Sequence, residues 1–328
     1  MALRLKEGYE IFEEKEGVFQ IRCKSDVIIV EFFEEEKRNI FLKVLEIIRN
    51  SEISFSKLRE ILENEFDKTK VLDVLDKMLE NEIIVEHDLK VDISDWLKDQ
   101  NTFILRNNLK DYYNILEKSK ITIVGETSLV KLINDNLIMT GFKNVRAIYE
   151  FPKNPIDILE NSDFIIVDSD KYNPSFLYEF NKNAYEMKKP WLITMGIDET
   201  IVSIGPIFTY DSLCFECLMR RIKSNLEFFV YFESFEKYLI EKKKSANNSG
   251  APLVVYNFIS SIITIETIKF LTNFSFPTIY RNFLTIDFTN YDVKINHVLK
   301  VPGCPVCSKE TSLRPLPWIP DLSTIGGD

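Results

Sequence analysis

Lys120-Ile121-Thr122-Ile123-Val124-Gly125 is a continuous apolar run that ends in glycine, the pattern of a strand buried on both faces in a parallel sheet. Reading on from it, the periodicity predicts a helix over Leu129–Met139, a strand over Asn144–Tyr149 and a second buried strand, Phe164-Ile165-Ile166-Val167, before Asp168. A helix around Pro174–Met187 and a strand over Trp191–Met195 continue the alternation. Strands alternating with helices predict an α/β layer built on a parallel sheet.

Downstream lie two short cysteine pairs, Cys214-Phe215-Glu216-Cys217 and Cys304-Pro305-Val306-Cys307, which hold four of the five cysteines. Two intervening residues let both sulfurs of a pair turn toward one tetrahedral ion, and two such knuckles complete a closed structural zinc site. The alternative is a pair of surface redox motifs. Four thiolates leave no open position for water, so a zinc ion here would hold structure and not catalyse. It would clamp the loop-to-helix junction Leu213–Arg221 against a segment about 90 residues further on. Cys23, in an apolar alternation, reads as core.

Upstream, residues 9–33 read as three short strands: Phe19, Ile21 and Cys23 alternate with Gln20 and Arg22, and Val27-Ile28-Ile29-Val30 follows a turn at Lys24-Ser25-Asp26. Three amphipathic helices come next, with stripes Ile40/Phe41/Val44/Leu45/Ile48, Phe55/Leu58/Ile61/Leu62 and Val71/Leu75/Met78/Leu79, the third capped by Asp67. A strand at Ile83–Val85 closes a winged-helix-like unit of about 85 residues. Such units bind DNA or accept a peptide as an added strand. Lys68, Lys70 and Lys77 on the third helix are offset by Asp73, Asp76, Glu80 and Glu82, which argues against DNA. The long apolar strand Val27–Phe33 is unusual for an edge unless a peptide or another part of the chain covers it.

The boundaries follow: a winged-helix-like domain over 1–88, a connector over 89–118 with Trp96, Phe103, Leu105 and Leu109 as docking points, an α/β domain over 119–310, and an extended tail over 311–328. In the tail Pro315, Pro317 and Pro320 surround Trp318, an anchor for a partner or for its own domain. The net charge of −10 opposes general nucleic-acid binding. Met1–Lys15 has no apolar signal-peptide core, and Leu253–Leu271, interrupted by Asn257, Glu266 and Lys269, reads as a packed helix and not a membrane span. A cytoplasmic protein is expected, where thiols stay reduced. The stretch Lys242–Gly250 reads as a mobile loop. With only His87 and His297, no histidine-rich metal site or Ser-His-Asp centre is expected.

The opening strand, Ser203-Ile204-Gly205-Pro206 leading into the first cysteine pair, the long helix from Pro252 and Gly303-Cys304-Pro305-Val306-Cys307 together resemble the ThiF/MoeB, ubiquitin-activating superfamily. The N-terminal unit resembles the leader-recognition element of enzymes that modify ribosomally made peptides. Both together resemble the ThiF-like partner proteins of YcaO cyclodehydratases, which install thiazoles and oxazoles in microcins, streptolysin-like toxins and thiopeptides. The resemblance implies a Rossmann-type α/β domain, zinc on Cys214, Cys217, Cys304 and Cys307, a precursor leader and a YcaO enzyme as partners, and a homodimer.

Adenylating members carry a glycine-rich loop after the first strand, where backbone N–H groups close on phosphates. Here the loop is Gly125-Glu126-Thr127-Ser128-Leu129, and no Gly-x-Gly occurs among the ten glycines. Glu150 is the only candidate ribose acid, Asp170 falls where relatives place a magnesium-binding Asp, and the stretch from Glu150 to Asp163 is too short for the usual Arg-bearing helix. No ATP is expected to bind. The expected function is a non-adenylating adaptor that holds a leader by strand addition and presents the core peptide to the YcaO enzyme, raising its local concentration. Its groove is placed on Val27, Ile29, Val30 and Phe32 of the strand and Lys70, Val71, Val74, Leu75 and Met78 of the helix, with the inward strand face left open. The alternative is an ATP-dependent adenylating enzyme acting on a peptide carboxylate.

Overall fold

The structure is a computed structural model and describes residues 2–6, 8–23, 26–51, 53–87, 112–246 and 250–308. The chain divides into two compact units, Met1–Asn108 and Leu109–Asp328. Among the described residues it is a mixed α/β protein of twelve strands and ten helices. Cys23's side chain, residues 88–111 and the tail from 309 lie outside the description, as do the docking points and the tail anchor placed there.

In the first unit β2 (Glu10–Lys15), β3 (Val18–Cys23) and β4 (Asp26–Glu31) form an antiparallel meander with β4 at one edge. A separate ribbon pairs β1 (Ala2–Leu5) with β5 (Ile84–His87); the sequence indicated the second of these strands but not the first. Helices α1 (Glu35–Asn50), α2 (Phe55–Glu63) and α3 (Lys68–Glu80) supply the core stripes read from the sequence. Leu3, Phe19, Ile21, Phe41, Val44, Leu58, Val71 and Leu75 join in one buried cluster. Asp67 caps α3 by accepting the N–H groups of Thr69 and Lys70, as its position predicts.

The second unit is a seven-stranded sheet in the order β12-β11-β10-β9-β8-β6-β7. Strands β6 (Lys120–Val124), β7 (Asn144–Ile148), β8 (Phe164–Asp168) and β9 (Trp191–Asp198) are parallel neighbours. Beyond β9 the sheet turns antiparallel through β10 (Ile201–Phe208), β11 (Asn282–Asp287) and β12 (Asp292–His297). The sequence reading found none of these three as strands. In β10 the Gly205-Pro206 pair argues against a ladder strand, and the register does shift between Ser203 and Ile207.

Around the sheet run α4 (Tyr112–Lys118), α5 (Ser128–Thr140), α6 (Ile156–Glu160), α7 (Pro174–Glu186), α8 (Phe215–Ser224), α9 (Phe229–Lys242) and α10 (Leu253–Thr272). One face is sealed by α7 and α8 over Trp191, Ile193 and Phe208; on the other, α10 packs along α5. Among the described residues α10 alone is long and apolar enough to cross a membrane, yet 44% of its apolar window is buried here. Its Glu266 is also buried, bonded to Lys269 and to the Ile279 N–H.

Helix α9 is tied down by polar contacts. Glu236, only 6% exposed, accepts hydrogen bonds from Lys223, Tyr172 and Tyr178, and Lys223 also donates to Tyr178 at 3.0 Å. Beyond the helix the Ala246 N–H reaches the Tyr172 carbonyl, so this end of the expected mobile loop is bonded to the domain. Removing one member of a buried ion pair strands the other without its counter-charge. Lys223→Met is therefore expected to lower the unfolding free energy by about 3 kcal/mol, measured by urea denaturation at neutral pH, and Lys223→Met combined with Glu236→Leu is expected to recover most of the loss.

Candidate functional site

Among the described residues β4 has a strand neighbour on one side only, and a groove of about 420 Å³ runs between it and α3. The Phe32 N–H donates to the Gly17 carbonyl at 2.8 Å. Because antiparallel strands alternate their hydrogen-bonding direction, Val30 and Ile28 also point their backbone groups toward β3, while Val27, Ile29 and Glu31 point theirs to the open edge. Side chains alternate the other way. Ile28, Val30 and Phe32 pack inward on the core, whereas Val27 and Ile29 are 42% and 64% exposed. Phe41, Val74, Met78 and Ile83 complete the apolar lining.

Of the nine residues placed here from the sequence, Ile29, Val30, Phe32, Val74 and Met78 line this groove. Val71 and Leu75 lie fully buried beneath it, Val27 belongs to the outer face of β4, and Lys70 bonds to Glu34 and Glu36 at 3.0 and 2.8 Å. The sequence reading missed Ile28 and the rim pair Lys37–Asp73 (2.9 Å) because the inward face of a strand is decided by its neighbours and not by its own alternation. Hydrogen bonds from Lys37 and then Lys77 hold the Asp73 carboxyl below the usual carboxylate range. The rim is thus a set of mutually paired charges around an apolar trough.

In the second unit the four predicted cysteines come together. Cys214 occupies the N-cap of α8 and Cys217 its third position, so the positive end of the helix backs both sulfurs. Cys304 and Cys307 sit in a turn in which the Cys304 N–H bonds to the Val301 carbonyl. The sulfurs lie 3.8 Å (214–217), 3.6 Å (214–304) and 3.3 Å (217–307) apart, and all four fall within 4.8 Å of one another. Four thiolates at about 2.3 Å from a tetrahedral ion stand about 3.8 Å apart, so the cluster fits one metal ion and is too open for disulfides. All four are buried among Trp191, Phe208 and Phe215.

At the C-terminal ends of the parallel strands, the expected place for a nucleotide in such sheets, several polar groups bond to the protein itself. A Cβ added to Gly125 would stand 2.6 Å from the Cβ of Asp168, so only glycine fits there. The Gly125 N–H donates to the Ile148 carbonyl, and the Leu129 N–H to the Thr127 hydroxyl that caps α5. Fully buried Asp168 accepts from the Thr127 hydroxyl (2.6 Å), the Asp170 N–H (3.1 Å) and the Thr194 hydroxyl (3.3 Å). Asp170 accepts from the Tyr256 hydroxyl (2.7 Å) and the Ile197 N–H (3.0 Å). Glu150 is exposed just past β7, and the stretch before Asp163 holds the five-residue α6, which has no arginine. Tyr256 and Thr194 had no signal in the sequence, since their role depends on α10 and β9 folding over this point.

Neither a protein-family model nor a curated protein sequence matches the chain. Solved structures do match in fold. A heterocyclase in complex with substrate and cofactor is 16% identical, with a TM-score of 0.66 over 93% of this chain and 39% of that one. The heterocyclase TruD is 17% identical, with a TM-score of 0.67 over 93% and 42%. E. coli MccB, solved with MccA, is 13% identical, with a TM-score of 0.57 over 94% and 100%. At these identities the likeness is one of fold, and the chain spans about two fifths of the length of the two heterocyclases.

Burial pushes the Asp168 carboxyl up to about 6, against the pull of its hydrogen bonds from Thr127 and the Asp170 N–H. Unfolded, it would titrate near 3.9. Between these values the folded state binds the proton more tightly, so the burial penalty is absent at low pH, grows as pH rises and is complete above the folded pKa. Asp168→Asn is therefore expected to gain stability relative to wild type between pH 4.5 and pH 7, by on the order of 2 kcal/mol, measured from urea midpoints at the two pH values.

Proposed function

We propose that this protein is a leader-binding, non-adenylating component of a cyclodehydratase system that forms azoline or thiazole rings in a ribosomally made precursor peptide. The observation that carries this reading is the free edge of β4 beside the apolar groove. An extended peptide set against β4 would bond to the outward backbone groups of Val27, Ile29 and Glu31. Its alternate side chains would enter the trough over Val74, Met78 and Phe41. In this reading the first unit is a winged-helix-like recognition domain, and a YcaO enzyme activates the backbone amide. Likeness of fold to two heterocyclases and to MccB, a protein solved with MccA, supports a place in peptide modification.

A non-adenylating role is supported by the strand ends, where Gly125, Thr127, Asp168 and Asp170 bond to the protein itself. A buried carboxylate next to the loop would also repel a phosphate. The four-cysteine cluster is read as a structural zinc site that closes the chain between α8 and the 301–307 turn. It contributes no open coordination position and so no catalysis.

Two measurements test this. Ile29→Pro removes one outward N–H while leaving the β3–β4 ladder intact, whereas Val30→Pro would break that ladder. Fluorescence polarisation with a labelled leader from a short reading frame flanking the gene is expected to show binding weakened roughly tenfold or more by Ile29→Pro, with none to ATP and magnesium by calorimetry. Unchanged peptide affinity would move the groove elsewhere, and clear ATP binding would favour the adenylating alternative. For the metal, elemental analysis is expected to give one zinc per chain, and Cys304→Ala to lose the metal and lower the melting temperature.

A further inference from the structure

Helix α9 turns a row of aromatic rings away from the domain. Its inward positions are Phe232, Glu236 and Leu239. Phe228, Tyr231, Phe235 and Tyr238, spaced three, four and three residues apart, share one flank beside them. They are 65%, 75%, 43% and 45% exposed. The Phe228 and Tyr231 rings lie 6.3 Å apart, and the Lys244 ammonium stands 4.7 Å over Tyr238. Glu233, Lys237 and Glu241 interrupt the other flank. A surface helix ordinarily sends such a stripe toward the core, so an exposed one marks a contact surface.

The described chain ends near one end of this stripe. The Tyr185 hydroxyl of α7 donates to the Cys307 carbonyl at 3.3 Å. Contacts between α7 and α9 run antiparallel: the Ala246 N–H bonds to the Tyr172 carbonyl, and further along the Tyr178 hydroxyl bonds to Glu236 at 3.2 Å. Tyr185 lies two turns beyond Tyr178, about 10.5 Å along α7, the same distance that separates Glu236 from Phe229 at the start of α9. Lys309–Arg314 can then span up to about 20 Å. The next residues are Pro315-Leu316-Pro317-Trp318-Ile319-Pro320-Asp321. In a polyproline II segment Pro317 and Pro320 stack on one face and Pro315 and Trp318 on the next, each pair about 9 Å apart. Phe228 and Phe235, like Tyr231 and Tyr238, are about 10.5 Å apart along the helix. Aromatic surfaces recognise this form of proline-rich chain. We infer that residues 314–321 lie along the aromatic flank of α9 in polyproline II form, parallel to the helix, with Arg314 toward Glu227 and Asp321 toward Lys242. Charge and attachment point give the same direction. Arg314 to Asp321 measures about 22 Å in this form, and Phe228 to Lys242 about 21 Å on the helix. The contact lies within one chain and does not depend on the peptide-binding role.

Two measurements on the full chain test this. With 5-fluorotryptophan incorporated, the fluorine line of Trp318, assigned by Trp318→Phe, is expected to stand apart from its position in the urea-unfolded chain. Phe235→Ser is expected to return it most of the way, while the line of buried Trp191 stays in place and reports an intact fold. On mild oxidation Pro315→Cys with Tyr231→Cys is expected to close a disulfide within one chain, above the wild-type background in peptide mass mapping. Pro315→Cys with Tyr238→Cys, two turns too far along, is not. A Trp318 line at its unfolded position in the wild type, a line that Phe235→Ser leaves unmoved, no disulfide within the chain, or a preference for the Tyr238→Cys pair would each overturn the inference.

Discussion

The convergence of four cysteine sulfurs is the constraint on which the second unit depends. Cys214 and Cys217 enter on the first turn of α8, Cys304 and Cys307 in a turn 90 residues later, and the chain between them carries α9, α10, β11 and β12. Bringing the ends of so long an excursion together costs loop-closure entropy on folding, which the contacts at the cluster must offset. The sulfurs also lie in the same buried cluster as Trp191 and Phe208 of β9 and β10. The closure point of the loop and the packing of the antiparallel half of the sheet are therefore one piece of structure.

Backbone groups stay open along strand edges as well as at strand ends. In an open α/β sheet the ends of the parallel strands and the following helix N-termini offer N–H groups to an anion. Here Thr127 caps its own helix, the Gly125 N–H is spent on β7, and the Asp168 carboxylate is buried against that glycine. Among the described residues the strands at sheet edges include β4 in the first unit and β12 in the second. Each borders exposed apolar side chains, Ile29 in one case and Val293 with Ile295 in the other. Strand addition is the recognition chemistry such edges support.

Much of this was legible from local pattern. The buried runs Ile121–Val124 and Phe164–Val167 predict strands within a residue of their observed bounds, the strand begun at Trp191 runs three residues past Met195, and the helical stripes of the first unit fall inside the observed helices. The Asp67 cap and the cysteine spacing are equally local. The antiparallel strands β10 to β12 escaped the reading for different reasons. Gly205-Pro206 masks β10, whereas β12 carries a plain but short alternation, Asp292-Val293-Lys294-Ile295.

The sequence by itself determined the α/β order, the amphipathic faces and which four residues could share an ion, because each depends on spacing along the chain. Only the tertiary structure decided which face of β4 turns inward, that Val71 and Leu75 lie under the groove and not in it, and that Tyr256 reaches Asp170. Those outcomes depend on which elements become neighbours, and strand register and helix docking are set by contacts between residues far apart in sequence.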